Sequence, residues 1–379
     1  MALDEKYLHF ALPAKVEFGP GKFRSLADVL ASNDFHRPAF VVTPGRERSG
    51  MLRGTLEAMA SRGIEAMIFD GVPENPDIAA VRACTRFLRE HGPDVVIGVG
   101  GGSPLDTAKA AAGCYTNGIV DVMEISRGPG LTQRALPTIL IPTTSGSGTE
   151  VNYWSVISDP ETRVKVSVGD PMMAPFMAVV DPELTYSLPP KTTLWSGNDA
   201  LTHAVEAYTS SAGHWLSDMF CLGSISLSLK SLNRAVEKGD SLRARGNMAL
   251  ASLLAGAAMQ NVGLGLVHAM SHQVSGFYDT PHGMTNALLL THVLRFNAPK
   301  CEGKMRTING LVKGKRGLIT WLDRLAKKHD IRRDLIQIRE ADIPTMAERA
   351  LDNVNAQTNP RTPELSDIEL LYRKSFQII

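Results

Sequence analysis

The chain is poor in cysteine: Cys84, Cys114, Cys221 and Cys301 are its only four in 379 residues, and none forms a Cys-x-x-Cys pair. That scatter excludes a thiolate metal site of the zinc-finger kind. It argues against a disulfide framework and predicts reduced thiols in a cytoplasmic protein. Neither sign of charge dominates, with 40 Lys and Arg against 39 Asp and Glu and a formal net charge of +1. Such a balance offers no basic face for nucleic acid and no polybasic patch for a membrane. The opening residues, Met-Ala-Leu-Asp-Glu-Lys-Tyr-Leu-His-Phe, carry charge where a signal peptide needs an apolar run. Internal repeats and low-complexity segments are missing too. The stretch from Met248 to Met270 contains no Asp, Glu, Lys or Arg and is long enough for a bilayer. It also holds Gln260, Asn261 and His268 and lacks an aromatic belt. The expectation is a buried helix pair broken near Gly263 and Gly265.

What is present divides the chain in two, as a length of 379 residues suggests. Between Pro38 and Asp181, short apolar runs alternate with helical stretches. Ala39-Phe-Val-Val-Thr, Ala66-Met-Ile-Phe, Val95-Val-Ile-Gly-Val, Thr138-Ile-Leu-Ile-Pro and Ala178-Val-Val-Asp read as buried strands. Asp77 to His91 and Pro104 to Gly113 read as helices. The alternation predicts an α/β domain with a mostly parallel sheet over 1–185. After Leu188-Pro-Pro, helical periods dominate, which predicts an all-α domain over 186–379. The Lys-, Arg- and Gly-rich region 301–318 reads as a solvated loop and helix start.

Four residues of the second half have the pattern of a metal site. Asp199 and His203 lie four apart, so a helix projects both from one face. His268 and His272 repeat the spacing, and His282 follows in Pro-His-Gly-Met. One carboxylate with three imidazoles suits Fe²⁺ or Zn²⁺ and suits Mg²⁺ or Ca²⁺ poorly. A lone histidine on a helix face is more often structural, and Asp199 alone could be a helix cap; the four together favour metal.

A hundred residues earlier, an apolar strand runs into Gly100-Gly-Gly-Ser-Pro-Leu-Asp-Thr-Ala-Lys. Ser103 reads as an N-cap, Pro104 as the first helical residue and Asp106 as part of a capping box. Glycine backbone and a helix N-terminus together favour a pyrophosphate. The bland alternative is an empty strand-to-helix turn. A second loop of hydroxyls and glycines, Pro142-Thr-Thr-Ser-Gly-Ser-Gly-Thr-Glu, tips the balance toward a bound nucleotide. The spacing is not the GxGxxG fingerprint.

Taken together, these motifs and Asp-Ala-Leu-Thr-His-Ala-Val-Glu, His-Ala-Met-Ser-His and Pro-His-Gly-Met-Thr-Asn-Ala resemble the iron-containing (group III) alcohol dehydrogenases. The resemblance runs from Val16-Glu-Phe-Gly-Pro-Gly to Asn359-Pro-Arg. It implies a dehydroquinate synthase-like architecture: an N-terminal dinucleotide-binding domain, a helical metal-binding domain and a cleft between them. It implies that Asp199, His203, His268 and His282 are metal ligands, with Fe²⁺ the expected ion and Zn²⁺ the alternative. His272 matches a histidine near metal and substrate, a proton-transfer or orienting group. Gly101, Gly102, Ser103 and Asp106 match the pyrophosphate and ribose loop. Thr143, Thr144 and Ser147 match the second cofactor loop, and Lys165 a lysine near the ribose; Arg163 and Lys165 could instead be exposed strand charges. Asn152 and Trp154 fall where substrate is contacted. Many NAD-preferring members carry Thr-Asp after the first strand. This chain has Thr43-Pro44-Gly45-Arg46, which leaves both NAD and NADP open, with Gly45 beside the adenosine ribose.

The implied activity is metal-dependent, NAD(P)-linked alcohol dehydrogenase or aldehyde reductase on a small primary alcohol or aldehyde, in a cytoplasmic homodimer or larger homo-oligomer. A small anionic aldehyde such as sulfoacetaldehyde fits the same reading. The alternatives on this fold are glycerol or glycerol-1-phosphate dehydrogenase, a dehydroquinate synthase-like lyase, and a non-catalytic nucleotide-binding protein. A lyase needs Lys and Arg converging on its substrate, and 192–211 and 256–291 contain neither.

Overall fold

The structure is a computed structural model that describes residues 9–45, 50–314 and 317–379. The charged start at residues 1–8, Arg46, and Lys315 and Arg316 lie outside the described residues. Six strands form one sheet: β1 (Lys15–Phe18), β2 (Pro38–Val42), β3 (Met67–Phe69), β4 (Val95–Gly100), β5 (Thr138–Pro142) and, after a hairpin, β8 (Met177–Val180). The hairpin consists of β6 (Trp154–Asp159) and β7 (Val164–Gly169). The strand order is β1-β8-β5-β4-β2-β3, and every pairing is parallel.

Five of the six sheet strands match the sequence expectation; β1 and the hairpin do not appear in it. β2, β4 and β5 are buried along their whole length, as strands covered on both faces must be. Their alternation splits two cores. Ala39, Val41, Val96 and Leu140 face α3 (Ile78–His91) and α4 (Gly102–Thr116), while Phe40, Val42, Ile97, Ile139 and Ile141 face α1 (Leu26–Ser32) and α2 (Arg53–Ala60). Each buried Val, Ile or Phe contributes roughly 1.5–3 kcal/mol. α3 begins as expected, with Asp77 accepting from the Ala80 N–H at 2.7 Å. A short α5 (Glu124–Arg127) precedes β5.

From Pro190 onward the chain is helical: α6 (Pro190–Thr209), α7 (Trp215–Glu237), α8 (Leu242–Val262), α9 (Leu266–Tyr278), α10 (His282–Asn297), α11 (Glu302–Leu311), α12 (Leu318–Lys328), α13 (Ile343–Leu351) and α14 (Leu365–Ser375). Two-residue strands β9 (Gln337–Ile338) and β10 (Gln377–Ile378) pair near the end. The uncharged stretch forms α8 and α9, bent by 102° at Gly263–Gly265; among the described residues no single helix is long and apolar enough to cross a membrane. Region 301–318 departs from expectation, because α11 is a helix that buries Met305 and Ile308 despite its charges. Those two residues, three apart, mark an inner face that overrides the loop-like composition.

The start of α4 also corrects the sequence reading. The helix begins at Gly102 with Gly101 at the N-cap, so Ser103 and Pro104 lie inside the first turn and no side chain caps it. The Ser103 hydroxyl instead donates to the Glu74 carbonyl. Asp106 caps nothing in its own helix: it accepts from Thr149 Oγ1 at 2.5 Å and from the Val156 N–H at 2.9 Å. Extended Gly101 admits a turn whose N–H groups no side chain of the loop occupies, which suits an incoming anion better than a self-capped helix would.

Candidate metal and cofactor cleft

Three helices bring the histidines together. α6 carries Asp199, His203 and Glu206 at i, i+4 and i+7; α9 carries His268 and His272; α10 opens with His282 and carries Asn286 one turn on. Asp199 Oδ1 lies 3.8 Å from His203 Nε2, 3.8 Å from His268 Nε2 and 3.6 Å from His282 Nε2. One donor atom from each of the four residues falls within 4.8 Å of all the others. Ligand bonds of about 2.0–2.2 Å to a shared tetrahedral ion put donors about 3.3–3.6 Å apart, near the Asp199 distances and tighter than the widest spacing in the group. His272 is not part of the cluster; its ring centre is 5.4 Å from that of His282.

At neutral pH the metal-free site keeps Asp199 ionised and His203 and His282 neutral, as ligands of a cation must be, while His268 holds an extra proton that an ion would displace. Burial pushes the Asp199 carboxyl up, but His203, His268 and His282 outweigh it and hold the group below the usual carboxylate range. Burial holds His203 down at about 4 and His282 at about 3, and lowers His272 well below the usual imidazole value. Burial also lowers His268, yet Glu206 and Asp199 on either side carry it up to about 9. The Asn286 amide nitrogen sits 2.8 Å from Asp199 Oδ1, 3.2 Å from His268 Nε2 and 3.1 Å from His282 Nε2, and its two hydrogens can serve two of these three at a time. Tautomers are set from outside the cluster: His203 Nδ1 faces the Gly146 carbonyl at 3.2 Å and His268 Nδ1 faces Glu206 Oε2 at 2.5 Å. Both leave Nε2 directed inward, so the donor set suits a divalent transition ion.

The cofactor loops abut this centre. Strand order reverses between β2 and β4, and the carboxyl ends there are Thr43-Pro44-Gly45 and Gly100–Gly102, the place where open α/β sheets bind ligands. Gly101 lies against Thr144 and Gly102 against Ser147, while the Thr143 N–H donates to the Gly100 carbonyl at 2.7 Å. The buried Thr143 hydroxyl has no partner. Lys165 is 7% exposed, which removes the exposed-charge reading. Its ammonium donates to Asn75 Oδ1 at 2.9 Å, and Asn75 Nδ2 reaches Asp279 at 2.5 Å. Burial draws Lys165 down to about 8 despite Asp279, Asp106 and Asp199, and its charge acts on His272 and His282.

Asn152 is not placed for substrate. It is 1% exposed, donates to the Gly148 carbonyl at 3.0 Å and accepts from the Trp154 N–H at 3.0 Å. The side chain is consumed in holding the second loop. Trp154 is 37% exposed and lies across Gly169 on the neighbouring strand. His214 is structural, forming a capping box with Ser217.

Both halves of this arrangement match known family models. Residues 13–182 match the iron-containing alcohol dehydrogenase model, and 193–376 match the C-terminal model of the same Fe-containing family. The chain belongs to the iron-containing alcohol dehydrogenase family. Alcohol dehydrogenase 4 of Saccharomyces cerevisiae is 34% identical over 379 aligned positions, covering 97% of this chain and 98% of the yeast protein. The 1,3-propanediol dehydrogenase of Klebsiella pneumoniae is 38% identical, covering 87% of this chain and 88% of its own. Among solved structures, a 1,3-propanediol oxidoreductase superposes with a TM-score of 0.90 at 34% identity, covering 98% of this chain and all of the other. The sulfoacetaldehyde reductase of Bifidobacterium kashiwanohense, in complex with NAD⁺, gives 0.89 at 27% identity, covering 98% and 99%. This dehydrogenase is therefore a metal-dependent, NAD(P)-linked oxidoreductase of alcohols and aldehydes.

Glu206 and Asn286 had no assigned role in the sequence reading. A signal for each was present: Glu206 lies three residues after His203 and Asn286 four after His282, on the helix faces that carry the candidate ligands.

Proposed function

We propose that this dehydrogenase interconverts a small, uncharged primary alcohol and its aldehyde. Residues 1–185 would hold NAD(P) along Gly101–Ser103, Thr143, Thr144, Ser147 and Lys165, with Gly45 beside the adenosine ribose. Residues 186–379 would hold the ion through Asp199, His203, His268 and His282. The observation that carries the reading is the contact between His203 Nδ1 and the Gly146 carbonyl, which puts the donor cluster against the second cofactor loop. When bound, the ion supplies Lewis acidity to the substrate oxygen, and the nicotinamide supplies or accepts the hydride. His272, buried and neutral with its Nδ1 unpartnered, is left to hydrogen-bond substrate or pass its proton. The first turn of α4 orients the pyrophosphate, and closely packed helices keep water from the reacting atoms.

Helices α9 and α10 contain no Lys, and their one Arg, Arg295, lies in the last turn of α10 paired with Asp323. That supports a neutral substrate. Lys165 favours a second reading, an anionic aldehyde, because its charge reaches His272 and His282. A panel of propanal, 3-hydroxypropanal, lactaldehyde and sulfoacetaldehyde, with NADH and NADPH after metal loading, distinguishes them. The neutral aldehydes should exceed sulfoacetaldehyde in kcat/KM by about tenfold or more. The reverse order would establish the anionic reading, and no metal-dependent oxidation of NAD(P)H with any aldehyde would overturn both.

A further inference from the structure

Helix α9 carries His268 in its first turn, yet it starts without a cap of its own. Gly265 is the N-cap residue and offers no side chain. The first two N–H groups are received by side chains from far along the chain: Leu266 N–H by Asn359 Oδ1 at 3.2 Å and Val267 N–H by Glu206 Oε1 at 2.6 Å. Asn359 is held by a reciprocal amide pair with Asn297, 2.9 Å in each direction, and donates to the Arg361 carbonyl at 2.6 Å. Gly265 must stay bare, because a Cβ there would lie 2.8 Å from Glu206 Oε1 and 3.0 Å from Asn359 Oδ1.

Capping alone does not explain Glu206. Its second oxygen, Oε2, accepts from His268 Nδ1 at 2.5 Å. The carboxylate is 4% exposed, and among the described residues no Lys or Arg pairs with it. A buried carboxylate without a Lys or Arg partner is unfavourable unless something positive lies close by. A helix N-terminus and an imidazole N–H answer part of that need, and an ion on the far side of the same imidazole would answer the rest.

We propose that Glu206 is a positioning residue of the metal centre. One oxygen fixes the start of α9, and the other holds the proton of His268 on Nδ1, so Nε2 stays free to bind the ion. This rests on the metal reading of the Asp199–His282 cluster. Asn359 performs the capping half of the task alone and has no contact with His268, which makes it the internal control.

The test uses full-length protein stripped by a chelator and titrated with Co²⁺, read by visible absorption and by thermal unfolding of the metal-free form. Glu206→Gln keeps size and shape but has one acceptor and one donor. If its oxygen caps Val267, its NH₂ faces Nδ1 and drives the histidine proton onto Nε2, the wrong tautomer. If it turns over, two donors meet at Val267. Glu206→Gln should weaken Co²⁺ binding by about 10–100-fold and shift the absorption bands. Asn359→Ala should lower the unfolding temperature and change Co²⁺ affinity by less than about threefold, since it touches no ligand. Unchanged Co²⁺ affinity and bands in Glu206→Gln would overturn the proposal, and so would equal weakening in both variants, which would reduce Glu206 to a cap. If Glu206→Gln does not fold, Glu206→Asp decides, because it keeps both acceptors but draws them back by one methylene. Weaker binding supports the proposal, and wild-type affinity overturns it. Wild type that binds no Co²⁺ would instead refute the metal reading itself, a distinct outcome.

Discussion

Glu150 closes the second cofactor loop at 1% exposure, its Oε2 without a partner and buried Lys109 nearby. Burial pushes its carboxyl up to about 7, more than Lys109 and the backbone pull it down. The folded chain therefore keeps a proton that the unfolded chain releases from its ordinary value near 4.5. Between those two values the native state binds more protons, so stability falls as pH rises, by up to about 3 kcal/mol. Glu150→Gln removes that slope. Denaturant unfolding of wild type and variant at pH 4.5, 6 and 7.5 should show the variant gaining on wild type with rising pH; parallel curves would mean Glu150 ionises freely. At this scale the candidate metal cluster was legible because four residues at helical spacings carry chemistry by type alone. Glu206 and Asn286 were not, since Glu and Asn on a helix face are ordinary until their neighbours across the fold are known. Asn152 was misplaced for the converse reason: a polar residue in a loop reads as available, whereas here the loop itself consumes it.

At the scale of elements, the second cofactor loop rests backbone against backbone on α8. A Cβ on Gly256 would lie 2.1 Å from the Gly148 carbonyl oxygen, and that carbonyl cannot swing away because it also accepts from Asn152. Gly256→Ala must therefore lift the loop or bend α8. Overpacking of this kind costs about 1–3 kcal/mol. The expected outcome is a lower unfolding temperature with a raised KM for NAD(P)H. A variant that loses stability with an unchanged cofactor KM would show that the loop does not follow the helix. Parallel strands were legible as unbroken apolar runs, and the break between α8 and α9 as two glycines. The hairpin was not recognised, although Val164, Val166 and Val168 alternate as a half-covered strand should. Val168 packs into the core, and Lys165 on the opposite face is buried as well, its charge arguing for solvent while it donates to Asn75. α11 misleads in the same way: Arg306 is exposed and half-buried Lys304 reaches the Tyr208 carbonyl, while Met305 and Ile308 form an apolar inner side.

At the scale of the whole molecule, the 3.2 Å contact from His203 to the Gly146 carbonyl would link the two proposed binding equilibria. On the proposed reading, an ion that orders His203 would also order the loop that receives the dinucleotide. The dinucleotide, by ordering the loop, must favour the ion by the same factor, because coupling free energies are reciprocal. Couplings of this kind commonly amount to about 5–150-fold. NADH bound to metal-loaded protein should show a dissociation constant at least about fivefold below that of chelator-stripped protein, measured by nicotinamide fluorescence. Equal constants would mean the contact transmits nothing. If the coupling holds, each ligand guards the other. Protein short of metal would also shed its nicotinamide, and an abundant cofactor pool would slow the loss of the ion to competing chelators.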